Sequence, residues 1–168
     1  MQPDNLSKTP MQATKTDIAT PADIDRLIET FYTRVLADPI IGFFFTDITR
    51  IDLQKHLPVI SAFWKLQLLG KLGYKGQTFA AHKAIHERAA LTEDHFHRWL
   101  YLFENTIDEL FAGTRAGTAK LRARTIARSM QRGLASQPIT PERAEELRGV
   151  QQVAPRKRNG QLDSAQKP

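Results

Sequence analysis

The feature that most restricts the fold of this chain is the spacing of its apolar residues. Phe96, Trp99, Leu100, Phe103, Ile107, Leu110 and Phe111 recur at steps of three and four, which gathers them on one side of an α-helix that Gly113 should end. The same rhythm runs through Ile24, Leu27, Ile28, Phe31 and Val35, with Tyr32 at the edge of the stripe, and through Leu57, Ile60, Phe63, Trp64 and Leu68. Leu121, Ile126, Met130 and Leu134 mark a last helix. No stretch alternates with the period of two that a half-buried strand needs, and no internal repeat is visible. The chain is expected to be all-α.

Local signals place the ends of these helices. Thr20-Pro21-Ala22-Asp23 offers an N-cap, a proline at the first helical position and an acid in the first turn; Asp38-Pro39 should stop that helix. The run from Pro39 to Phe45 is too short for a long helix and too bulky for a loop, so it reads as a brief helical corner lidding the core. Asp52 can cap the next helix, in which Pro58 must remove one backbone hydrogen bond. Either the helix kinks there or it begins in earnest near His56. Gly70, Gly73 and Gly76 predict a loop with unusual backbone angles, followed by a short helix over 79–87 and another opened by Thr92-Glu93-Asp94.

The 168 residues fit one domain over 20–134 with polar ends: an extension over 1–19 and a tail over 135–168, both expected to be disordered, with a possible short helix over 141–148. No apolar run approaches the ~20 residues of a membrane span. Lys8 and Lys15 are followed by no apolar block, so no secretory signal is expected and a cytoplasmic location is the default. The absence of cysteine excludes thiolate catalysis, iron–sulfur clusters and thioether-linked haem; any prosthetic group must be held non-covalently. The net charge of +6 includes Arg115, Lys120, Arg122, Arg124, Arg128 and Arg132, with no acid among them. That row is either the solvated face of a C-terminal helix or a surface for an anionic partner.

The chemistry concentrates between Ile51 and His86, where His56 and His82 sit on either side of the glycine break. His56 precedes Ile60 by one turn on the apolar face, and His82 follows Phe79 and two alanines on the shorter helix. Two inward imidazoles on separate helices, facing across a flat apolar cavity, form the arrangement a haem needs: an axial ligand on one side and a polar group near the open position on the other. His86, one turn after His82, is a rival ligand. His82, His86 and Glu87 could instead clamp zinc, but a convincing fourth ligand is missing.

The order Phe31-Tyr32, His56, Phe63-Trp64, Leu68-Leu69-Gly70 with Tyr74 and Gly76, His82, then the block around Trp99 resembles the truncated haemoglobins, most closely the third group of the bacterial ones. The resemblance spans about residues 20 to 134. It implies a 2-on-2 helical sandwich holding haem b, with His82 as the iron ligand. It further implies Tyr32, His56 and Trp99 as groups that stabilise a bound ligand, and Phe31, Ile60, Phe63 and Trp64 as pocket wall. Propionate partners are to be sought among Lys71, Lys75, Lys83 and Arg88. The implied function is binding of oxygen, nitric oxide or carbon monoxide, with nitric oxide oxidation or peroxidase-like chemistry, His56 carrying the proton, as enzymatic extensions. Turnover would require a reductase, of which the chain shows no sign.

The competing class is a small helical interaction module without haem, its basic last helix gripping an anionic partner such as nucleic acid. It accounts for Arg115 to Arg132 and leaves His56, His82, Tyr32 and Trp99 unexplained.

Overall fold

A computed structural model describes residues 14–136; the expectations for 1–13 and 137–168, including the short helix over 141–148, lie outside the described residues. Five α-helices and one π-helical turn follow in order: α1 (Pro21–Ala37), the turn (Phe44–Ile48), α2 (Leu53–Leu69), α3 (Thr78–Arg88), α4 (Glu93–Leu110) and α5 (Thr114–Ala135). The described residues contain no strand. The pair α1/α2 lies on the pair α4/α5, with α1 against α4 and α2 against α5, which is the 2-on-2 sandwich of a truncated globin.

The helix starts follow their local chemistry. Thr20 Oγ1 accepts the Asp23 amide proton at 3.2 Å while Asp23 Oδ2 accepts that of Thr20 at 2.8 Å, the reciprocal bonds of a capping box. Asp38 closes the other end. Its carboxylate takes the Ile40 and Ile41 amides at 3.0 and 3.1 Å and the Arg98 guanidinium of α4 at 2.6 and 2.8 Å, with almost no exposure to water. Asp52 caps α2 through the Gln54 amide, and the helix runs from Leu53 without interruption. Pro58 is tolerated because the carbonyl it leaves without a donor belongs to Gln54, and both residues are exposed.

The core gathers between α1, α4 and α5. Ile24, Leu27, Ile28, Phe31, Phe103, Ile107 and Phe111 have at most 2 % of their surface exposed. The inward face of α5 departs from the expected stripe. It is built from Ala116, Ala119, Ala123, Ala127, Met130 and Leu134, whereas Leu121 is 64 % exposed. Small side chains allow helix axes to approach closely, and a hydrophobicity pattern weighted to large residues misses such a face.

The expected disorder over 1–19 does not hold for 16–19. Ile18 is fully buried, the Ala112 amide donates to the Thr16 carbonyl, and Asp17 caps α5 from outside that helix, accepting the Arg115 and Ala116 amides at 2.9 Å each. Gly113, at φ 146°, leaves room for this: a Cβ there would lie 2.4 Å from the Asp17 carboxyl carbon.

Candidate functional site

One cavity opens between α1, the π-helical turn and α2 on one side and α3, α4 and α5 on the other, with about 1200 Å³ free of protein atoms, part of it continuous with solvent. Phe31 and Tyr32 reach it from α1, His56, Ile60, Phe63 and Trp64 from α2, His82 from α3 and Trp99 from α4. All eight residues singled out in the sequence therefore meet at one place. Apart from Thr49, Thr78 and His95 the rest of the wall is apolar, so each polar atom here stands out by its hydrogen bonds.

His82 Nδ1 lies 2.8 Å from the Thr78 carbonyl, one turn back in α3. A carbonyl only accepts, so Nδ1 carries the proton and Nε2 is the nitrogen left for a ligand. His86 is placed differently. It does not line the cavity, and its Nδ1 accepts the Leu91 amide proton at 3.1 Å, closing the turn after α3. Among the described residues no group of three or more His, Asp or Glu is arranged to hold a metal ion.

Opposite, the Tyr32 hydroxyl and His56 Nε2 are 2.8 Å apart, with the rings edge-on at 5.4 Å. Tyr32 is not the wet-tipped rim residue its stripe position suggests: it is 6 % exposed. Burial pushes its phenol well above the usual range, so the O–H keeps its proton. The His56 imidazole is held below its usual pKa, first by burial and then by repulsion from His82. Trp99 and Trp64 both stack on Phe103, at 5.1 Å and 4.7 Å between ring centres, and Phe31 meets Trp99 edge-on.

Several wall residues went unread in the sequence. Phe44 and Phe45 enter from the π-helical turn, Ala127 and Met130 from α5, and His95 from the first turn of α4. His95 Nδ1 accepts the Thr92 amide proton at 3.0 Å and its ring stands edge-on to Phe44 at 4.8 Å. It occupies the place where a capping box usually has Glu or Gln, so Thr92 with an acceptor three residues on was the available signal. Burial holds His95 below its usual pKa, against opposing pulls from Asp94 and the Ala90 carbonyl.

The cations stand outside. None of Lys71, Lys75, Lys83 and Arg88 lines the cavity, and Lys83 lies 4.0 Å from Glu87. Much of the basic row on α5 is engaged within the molecule: Lys120 with Asp108, Arg124 with both oxygens of Glu104, Arg122 with Gln67. No described helix is long and apolar enough to cross a membrane.

No family model and no curated protein matches the chain. Among solved structures it is similar to the group III truncated haemoglobin from Campylobacter jejuni. The two share 28 % identity over 72 % of this chain and 95 % of that one, with a TM-score of 0.63. The all-helical fold is that of a truncated globin.

Proposed function

We propose that the cavity holds haem b non-covalently, with His82 as axial ligand, and that the protein binds diatomic gases there. The observation that carries this reading is the meeting of His82, with its outer nitrogen already engaged, and the Tyr32–His56 pair across one apolar cavity. The residues present fit such a group. A planar hydrophobic macrocycle would fill the space, α3 contributes no buried residue of its own, and an imidazole with Nδ1–H bound to a carbonyl is a prepared iron ligand. Likeness to a truncated haemoglobin points the same way.

Haem held here would supply a ferrous iron on which a diatomic ligand gathers partial negative charge. The chain's part is to present protons to that charge and to keep water away. A neutral His56 with its proton on Nε2 donates to the Tyr32 oxygen, and the phenol proton is then free for the ligand. Trp99, stacked on Phe103 and edge-on to Phe31, would offer its indole N–H as a second donor. A hydrogen bond to such a charge contributes roughly 1.5–3 kcal/mol, about ten- to a hundredfold in residence time. His56, held uncharged, can also accept a proton, which suits oxygen or nitric oxide handling and the peroxidase-like alternative alike.

The test is spectroscopic. Purified protein given hemin should develop a sharp Soret band, His82→Ala should lose axial imidazole ligation, and His86→Ala should keep it. Tyr32→Phe should release oxygen about ten- to a hundredfold faster. A chain that stays colourless with hemin, or loses ligation with His86 rather than His82, contradicts the assignment.

A further inference from the structure

Tyr74 is the single aromatic residue of the 70–77 loop, and the site described above gives it no part. Its hydroxyl meets Thr78 Oγ1 at 2.5 Å and its ring stands edge-on to Phe63 at 5.1 Å. The approach depends on Gly76, where a Cβ would lie 2.5 Å from the Tyr74 hydroxyl oxygen. Thr78 is the first residue of α3, and the cap residue before it, Gln77, supplies no side-chain hydrogen bond. An uncapped first turn is where a helix frays. Yet this turn carries the carbonyl that accepts His82 Nδ1–H.

We propose that Tyr74 is a positioning residue for His82. Through the Thr78 hydroxyl it tethers the first turn of α3, and so holds the Thr78 carbonyl where it fixes the orientation and tautomer of the imidazole. Gly76 is the clearance that lets the tether form. The inference rests on His82 being the axial ligand. A firm hydrogen bond to Nδ1–H makes Nε2 a stronger donor; a loosened one weakens the bond from Nε2 to iron.

The experiment compares haem-loaded variants by resonance Raman spectroscopy of the ferrous, ligand-free protein and by haem loss to a scavenger. Tyr74→Phe keeps the ring and should keep the Soret band. It should move the iron–histidine stretching band to lower frequency and speed haem loss about tenfold. Thr78→Val should do the same and the double variant no more, while Thr78→Ser, which restores the hydroxyl, should match the wild type. Bands and loss rates unmoved in both single variants, an additive double variant, or a Thr78→Ser shifted like Thr78→Val would each overturn the tether while leaving His82 in place. A wild-type band absent, or unchanged in His82→Ala, overturns the ligand assignment and the tether together.

Discussion

Helices α1 and α3 carry opposite faces of the same cavity and are built on opposite principles. α1 has a reciprocal cap at its start, a buried Asp38 paired with partly exposed Arg98 at its end, and six buried residues from Ile24 to Val35. α3 has no side-chain cap at its N-cap residue and no buried residue at all. Its Phe79 rests on Gly133 of α5, its Thr78 is reached by Tyr74, and its inner side looks into the cavity. One helix is closed by its own side chains; the other leaves its inner side open to the cavity. A fold can thus keep a firmly packed element and a weakly packed one on facing sides of the same space.

The strongest challenge to this contrast is truncation on either side of the haem-free protein. Phe103→Ala, in the closed core, should cost about 3–5 kcal/mol in chemical denaturation, whereas Ile85→Ala, on α3 at the cavity wall, should cost less than about 1 kcal/mol. Equal costs would mean that α3 is as firmly packed as α1. Next in size is the ligand itself. Hemin at a thousandfold excess over its dissociation constant should stabilise the protein by about 4 kcal/mol, a rise in melting temperature on the order of 10 °C, with α3 amides gaining the most protection from exchange. An apoprotein equally stable and equally helical would break the comparison.

Titration separates the cavity from the Asp38–Arg98 contact, because the two respond to acid in different windows. Half-buried His56 and His95 have lowered pKa values, so their contribution is complete above the unfolded value of about 6.5 and is lost as pH falls through the folded ones. Burial alone would raise the Asp38 carboxyl, but Arg98 and the Ile40 and Ile41 amides outweigh it and hold it below the usual range. Its contribution is present above about pH 3.9 and lost as pH falls through the lower folded value. Amide exchange, corrected for its own pH dependence, should therefore quicken around His56 and His95 as pH falls below about 6.5, before the Asp38–Arg98 contact responds. Simultaneous loosening of both would count against two independent regions. A modest effect is expected at the start of α5, where Asp17→Ala should cost about 1 kcal/mol in thermal unfolding.

Most of this architecture was legible where its cause is local. Thr20, Asp38 and Asp52 announce helix ends because a cap involves neighbours within four residues. The stripe of α4 was legible because Phe103 and Ile107 bury large side chains at helical spacing. The eight cavity residues were picked out partly by periodicity and partly by resemblance, and they do converge. What escaped has other causes. Leu121 helps mark α5 in the sequence yet faces water, and the alanines that do form the inner face carry too little hydrophobic signal to show it. His95 was passed over because a capping histidine and a cavity-lining one look alike in sequence. Asp17 escaped because its partners lie almost a hundred positions away, beyond any local pattern.

That last contact bears on how the molecule is made. Asp17 leaves the ribosome about a hundred residues before the amides it must meet at Arg115 and Ala116. The carboxylate waits through synthesis of the intervening chain, and α5 is fastened only once its first turn arrives. Shortening the gene to begin at the obvious first cap, Thr20, would leave α1 intact and deprive the closing helix of its fastening.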